Sequence, residues 1–440
     1  MQKNAPWNRP GILFGLLPNH SGCFVQSCQT KYASHELLKY KLSMFYFTIH
    51  LICDKLGECV PLITEVSMTR YPRSIQPAIE QALYKGKIIV IYGARQVGKT
   101  TLIYSIKEKY PADSLYLNCD EPDIRNSLSD KTSTELRRLL GTKTLILIDE
   151  AQRVKNIGLT LKLLVDTYPE LQIIATGSSS FDLSNNISEP LTGRKVEFHL
   201  YPLSVGELLS QSSPLEMQRS LEYHLRYGMY PGVVSGDEPA DALLEITRSY
   251  LYKDVLEFQT VKNPDLLHRL LQALALQVGS EVSYNELGTM LGIDKVTVAR
   301  YVSLLEQGYV IFHLPPYSRN LRKELGRQRK IYFHDVGVRN ALINNFNPLE
   351  QRQDIGMLWE NFFVSERLKY AQNQRRHPNV YFWRMYDGKE IDYLEEEGGH
   401  LTGFECKWSS DKWRVPETFL SAYPGSQVHL VNRTNVLDYL

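Results

Sequence analysis

Short apolar runs bounded by polar loops recur between residues 87 and 205: "KIIVIYG", "SLYLNCD", "TLILIDE", "LQIIATGS" and "KVEFHLYPL", with helical stretches between them. A parallel sheet covered on both faces produces this pattern, because its strands never meet water and the polar positions collect in the connections. Just before the first run the spacing predicts an amphipathic helix over 74–84. From 206 to 262 the period turns helical, interrupted by "YGMYPGVVSGDEP", which predicts a helical lid or linker. Residues 263–335 predict two short helices, "SYNELGTMLGI" and "DKVTVARYVSLLEQGYV", around a turn at Gly292, with Asp294 as N-cap. "VIFHL", a basic loop and "KIYFH" follow, which is the order of a winged helix-turn-helix. Residues 336–440 return to mixed helix and strand.

Residues 1–67 show no clear helical or strand period. They are read as an N-terminal extension, either translated upstream sequence ahead of a start at Met68 or a poorly ordered segment. The expected fold class is α/β. A P-loop-type parallel sheet (68–205) is followed by the lid (206–262), the winged helix (263–335) and an α/β restriction-endonuclease-like domain (336–440). The length of 440 residues suits several domains, at about 150 residues each.

The net charge of +1 names no partner, so affinity for nucleic acid has to come from local patches. The six cysteines, Cys23, Cys28, Cys53, Cys59, Cys119 and Cys406, form no CxxC pair and no Cys/His spacing suited to zinc. A reduced cytoplasmic protein is the simplest reading. "MFYFTIHLIC" at 44–53 spans about half a bilayer and contains His50, so no membrane partner is expected. "GILFGLLP" at 11–18 imitates a signal peptide but is short and lacks an A-x-A-like site.

"GARQVGKTT" fits GxxxxGK[ST] directly after a strand and opening a helix. Backbone N–H groups of Gly93, Ala94, Arg95, Gln96, Val97 and Gly98, with the start of the helix at Lys99, Thr100 and Thr101, are then aimed at phosphates. Lys99 neutralises the β/γ-phosphates of ATP and Thr100 binds Mg²⁺. Fifty residues on, "TLILIDEAQ" ends a buried strand in Asp149, placed to hold Mg²⁺ through water, and Glu150, placed to polarise the attacking water. Thr176 or Ser178, at the end of the next run, suits a γ-phosphate sensor. Arg194 in "LTGRKVEF" is the candidate cation reaching a phosphate from its own or a neighbouring subunit.

With these residues, the segment from Met68 onward resembles a family of bacterial and archaeal AAA-superfamily ATPases that carry a C-terminal domain of unknown function. "YGARQVGKTTL", "LILIDEAQ", "IIATGSS", "LTGRKVEFHLYPLSVGEL", "YGMYPGVV", "GMLWENFFVSERL", "GKEIDYL" and "FECKWS" carry the likeness. The resemblance implies an ATPase core, a winged helix and a nuclease-like tail. ATPases of this kind often form rings, so a homo-oligomer is among the expected partners.

The basic loop "SRNLRKELGRQRK", 318–330, sets six cations against Glu324. With Lys295 and Arg300 on the recognition helix, Arg319, Arg322 and Lys323 are the candidate DNA contacts. In "GKEIDYLEEEGGHLTGFECKW" a Gly398-Gly399 turn pairs Glu397 with His400, Leu394 with Gly403 and Asp392 with Glu405, and sets Glu390 opposite Lys407. Glu390, Asp392, Glu405 and Lys407 then share one face; Ile391, Tyr393, Phe404, Cys406 and Trp408 share the core face. Facing carboxylates repel unless a cation lies between them, and a divalent ion suits clustered oxygens. The arrangement resembles the PD-(D/E)xK nuclease signature, without its proline. That likeness implies a second Mg²⁺ or Mn²⁺ held by the acids, water positioned by Lys407, and Glu360 joining from the preceding helix. Three readings follow: a Mg²⁺-dependent AAA ATPase acting on or near DNA, an ATP-gated nuclease, and a non-catalytic nucleotide switch.

Overall fold

The computed structural model describes residues 47–53, 59–65, 70–177, 191–249, 263–317, 329–385 and 387–440. The chain divides into two compact units, residues 1–68 and 69–440. In the first, strands β1 (Phe47–Cys53) and β2 (Cys59–Glu65) form an antiparallel pair in register from Phe47 opposite Glu65 to Cys53 opposite Cys59. This corrects the reading of 1–67 as lacking strand character: "FTIHLIC" and "CVPLITE" are rich in β-branched residues, which favour a pleated strand.

The second unit opens with helix Gln76–Gln81, inside the predicted 74–84. Strands β3 (Ile88–Tyr92), β4 (Ser114–Asn118), β5 (Leu145–Asp149), β6 (Gln172–Gly177) and β7 (Lys195–His199) form one sheet in the order β4-β5-β6-β3-β7. Every pairing in it is parallel. β3, β5 and β6 are buried along their whole length, as continuous apolar runs require. The phosphate-loop helix Lys99–Lys109 and helix Ile157–Thr167 belong to the covering layers.

Helices Val205–Leu209, Pro214–Tyr227, Pro231–Val234 and Pro239–Ser249 follow. Ser204 and Ser213 each close a capping box, with Glu207 and Glu216 returning the bond. Helix Pro264–Leu276 leads to β8 (Glu281–Val282), helices Tyr284–Leu291 and Lys295–Gln307, then β9 (Ile311–Leu314) and β10 (Arg329–Phe333). The three strands form an antiparallel sheet in the order β8-β10-β9. Gly292 ends the first helix of the pair at φ +72°, and Asp294 accepts from Val296 N and Thr297 N at 2.9 Å each, as the sequence predicts.

Helix Ile355–Asn373 precedes a mixed sheet of β11 (Asn379–Arg384), β12 (Glu390–Glu397), β13 (His400–Cys406) and β14 (Gln427–Val431), in that order. Only the β13–β14 pairing is parallel. Tyr393, Phe404 and Cys406 pack in the main core with Trp359 and Phe363 of the long helix. Trp383, Ile391, Leu394 and Phe419 form a smaller cluster. No helix among the described residues is long and apolar enough to cross a membrane.

Candidate functional sites

The phosphate loop leaves β3 at Tyr92 and enters its helix at Lys99. Gly93 is obligatory there: a Cβ would stand 2.2 Å from the Leu200 carbonyl oxygen, at the end of β7. Gln96 and Gly98 both have positive φ, +59° and +96°, so the loop curls with successive peptide groups turned inward. Lys99, 5% exposed, donates to the carbonyls of Gly93 (2.8 Å) and Ala94 (2.7 Å). Thr100 and Thr101 lie exposed on the first helical turn, and Arg95 and Val97 complete the loop.

Asp149, at the carboxyl end of β5, collects hydroxyl donors. Thr100 Oγ1 reaches its Oδ2 at 2.7 Å, Tyr116 Oη the same oxygen at 2.9 Å, and Thr176 Oγ1 its Oδ1. Thr176 also accepts from Glu150 N at 3.2 Å, and Glu150 is in the left-handed region at φ +52°. Burial first, and then the Asp149 charge, push the Tyr116 phenol far up, so it stays a donor. The same two causes push the Cys119 thiol up to about 12. Tyr116 is the member of this group that motif reading misses; its signal is a hydroxyl-bearing ring in the strand neighbouring the acidic one. Thr100 and Asp149 fit a hydrated Mg²⁺, since a hydroxyl and a carboxylate already converge beside an exposed helix start.

Arg194 is a correction as far as its own chain goes. Its carbonyl accepts from Ile88 N at the amino end of β3, and its Nε donates to Asp166 at 2.7 Å. The loop lies at the other end of that strand, about 13 Å off at 3.3 Å per residue, beyond an arginine's reach. Ser178, Arg319, Arg322 and Lys323 lie outside the described residues. Lys295 and Arg300 are exposed on helix Lys295–Gln307, next to Val296, which is 69% exposed.

In the C-terminal sheet, Gly398 and Gly399 make the turn at φ +58° and +83°, and the ladder runs from Glu397 opposite His400 to Tyr393 opposite Phe404, the predicted register. There the drawn pairing ends. Cys406 N donates to the Asp392 side chain at 2.8 Å instead of to a backbone carbonyl, and Lys407 lies beyond β13. A register shift against β11, where Tyr381 faces Leu394 but Trp383 faces Ile391, inserts one extra residue in β12. This corrects the face assignment: Ile391 packs with Trp383, Leu394 and Phe419, away from Tyr393 and Phe404.

The four expected residues do gather. Glu360 and Asp392 share one cation, which is Lys330 of β10, 2% exposed. Its Nζ stands 3.0 Å from Glu360 Oε1, 3.5 Å from Asp392 Oδ1 and 3.7 Å from Glu390 Oε2. Tyr332 Oη also donates to Glu360, at 2.6 Å. Lys407 Nζ pairs with Glu405 Oε1 at 2.7 Å, while the buried Glu405 Oε2 has no hydrogen-bond partner among the described residues. Burial and the Asp392 charge push Glu360 up to about 7 and Glu405 up to about 8. An open cleft of about 530 Å³ borders Glu405, Lys407 and Arg414.

Lys330 was counted in the basic loop from sequence, and periodicity gives no sign that it turns inward. It also bears on the second metal. Among the described residues, no group of three or more His, Cys, Asp or Glu is arranged to hold an ion. The acids close around an ammonium, so the donor set as arranged does not fit a divalent cation.

A family model described as "AAA domain" matches residues 85–209. That stretch is an AAA-type P-loop ATPase domain. Behind the ATPase domain, two models described as domains of unknown function match residues 218–349 (DUF8612) and 355–437 (DUF4143). An uncharacterized protein of Mycobacterium tuberculosis is 28% identical over 344 residues, 77% of this chain and 74% of that protein. One of Methanocaldococcus jannaschii is 27% identical over 357 residues, 75% of this chain and 79% of its own length. Among solved structures, a chain from "Structure of Drosophila ORC bound to AT-rich DNA and Cdc6" aligns with 62% of this chain and 89% of its own, at 12% identity and a TM-score of 0.24.

Proposed function

We propose that this AAA-type ATPase is Mg²⁺-dependent and acts on or near DNA, with its C-terminal domain as a nuclease-like element closed in the present arrangement. The observation that carries the reading is Asp149, which joins the loop threonine Thr100 to the sensor position Thr176. Thr100 and Asp149 would hold Mg²⁺, which would supply Lewis-acid chemistry to bound ATP. Lys99 neutralises phosphate charge, the loop N–H groups orient the phosphates, and Thr176 ties the Asp149 carboxylate to the Glu150 backbone. Glu150, directly after the strand, is the residue assigned to orient water for attack. A phosphate-release assay tests this: Lys99→Ala and Glu150→Gln lose turnover, and full activity in either sinks the assignment.

The DNA part rests on the order helix, short strand, helix pair and antiparallel strands in 264–333, which suits a winged helix presenting Lys295 and Arg300. Duplex binding that weakens with salt, and less steeply in Lys295→Ala/Arg300→Ala, supports it; salt-independent binding overturns it. A homo-oligomer is the assembly in which Arg194 has a role, by reaching a neighbour's phosphate. Buried free thiols at Cys119 and Cys406 agree with a reducing cytoplasm.

A second reading, ATP-gated cleavage, is favoured by Glu405 Oε2, which stands beside the cleft without a hydrogen-bond partner among the described residues. DNA nicking with Mg²⁺ or Mn²⁺ that is lost in Asp392→Asn and in Lys99→Ala supports it. Turnover of ATP without nicking supports the closed element.

A further inference from the structure

Arg73 lies ahead of the ATPase domain match and outside the phosphate-loop motif, yet it is built into the loop. It is largely buried, its side chain 8% exposed, and all three of its nitrogens are engaged. Nη1 donates to the Val97 carbonyl at 2.6 Å, Nη2 to the Tyr201 carbonyl at 2.7 Å, and Nε to Glu207 Oε1 at 3.0 Å. The carbonyl of Val97 and the N–H of Gly98 belong to one planar trans peptide and point in opposite directions. Holding the oxygen therefore aims the N–H, which is among the loop donors for a phosphate.

The link continues away from the loop. Glu207 accepts from Ser74 N (2.9 Å) with one oxygen and from Ser204 N (3.0 Å) with the other. The next residue, Val205, donates its N–H to Glu366 Oε2 of the long C-terminal helix at 2.8 Å. Glu366 pairs with Lys369 at 2.6 Å, both 2% exposed, and Lys369 donates to the Leu203 carbonyl at 3.1 Å. The segment 203–205 is thus held on one side by the residue that grips Arg73 and on the other by the C-terminal domain. Glu366 stands six residues from Glu360 on the same helix, about 9 Å along its axis at 1.5 Å per residue.

We propose that Arg73 is a positioning residue for the phosphate loop, and that Arg73–Glu207–Glu366–Lys369 couples nucleotide binding to the C-terminal helix. The coupling rests on nucleotide binding at the loop and on nothing about DNA or cleavage. Binding free energies are reciprocal, so a change at Glu366 has to alter nucleotide affinity if the link is real.

A double-mutant cycle on the full chain tests it, reading the dissociation constant of a fluorescent ATP analogue, kcat, and hydrogen exchange in 355–373. Arg73→Met is expected to weaken binding about tenfold, and Glu366→Gln/Lys369→Met about threefold, in the range of couplings between contacting residues. The combined variant is expected to stay near tenfold rather than reach about thirtyfold. In the parent, nucleotide alters exchange in 355–373; in either single arm that response is lost. Should Arg73→Met fail to fold, Arg73→Lys takes its place in the cycle. Multiplicative losses, or an affinity within about twofold of the parent for Glu366→Gln/Lys369→Met, overturn the proposal. If the parent itself bound no analogue, the ATP assignment would fall instead, so the two failures are distinguishable.

Discussion

Two almost wholly buried lysines in this molecule stand in different surroundings, one in the phosphate loop and the other among carboxylates. Lys99 donates to two carbonyls of its own loop, whereas Lys330 stands among the carboxylates of Glu360, Asp392 and Glu390. A carbonyl dipole satisfies an ammonium's hydrogen without cancelling its charge, whereas a carboxylate does both. The phosphate-loop motif marks the first lysine as a binding group, and three acidic neighbours mark the second as a structural counter-ion.

The comparison breaks most visibly by exchanging phenotypes. Lys99→Ala is expected to lower ATP turnover at least about a hundredfold, the size of losing a positioned electrostatic group, while its thermal midpoint stays close to the parent's. Lys330→Met is expected to leave ATP chemistry largely in place in the folded fraction and to cost about 3–5 kcal/mol in denaturant unfolding, because it strands buried carboxylates. A Lys330→Met variant as stable as the parent would mean that the acids were never charged together.

Gly93→Ala tests the loop itself. Its Cβ meets the Leu200 carbonyl, backbone against backbone, so a loss of about 1–3 kcal/mol is expected together with weaker nucleotide binding. The mildest test is of pH. Glu405 is raised to about 8, so the folded state holds a proton that the unfolded state releases near its ordinary pKa of about 4.3. This residue therefore lowers stability as pH rises between those two values. Glu405→Gln is expected to flatten that part of a stability-versus-pH curve and to gain on the parent at pH 8. An unchanged slope would show that Glu405 is ionised in the fold.

Much of this was legible from local signals. Fully buried parallel strands declare themselves as continuous apolar runs, and all five were placed. The loop motif carries its geometry with it, because glycine spacing and a following helix dictate the backbone. The Gly398-Gly399 turn fixed the hairpin register by the same logic. What failed to show depends on distant chain. Nothing near Lys330 reveals that β10 points it at a helix thirty residues later, and nothing near Arg73 reveals a loop carbonyl twenty-four residues on. The face of Ile391 was missed because the extra residue in β12 is defined only against β11. Arg194 was placed by motif position, whereas its location follows from which end of β7 it precedes.

The burial of helix Ile355–Asn373 has a practical side for anyone dissecting this chain. Leu358, Trp359, Phe362, Phe363 and Val364 lie in the core, and polar Asn361, Ser365, Glu366 and Lys369 are buried with them, so the helix has little surface to offer water. A cut near residue 354 would expose apolar area on one fragment and orphan Val205 and Phe333 partners on the other. The ATPase half is therefore not a portable cassette: shortened versions are expected to aggregate, and domain exchange with a relative has to carry this helix along with the surfaces that enclose it.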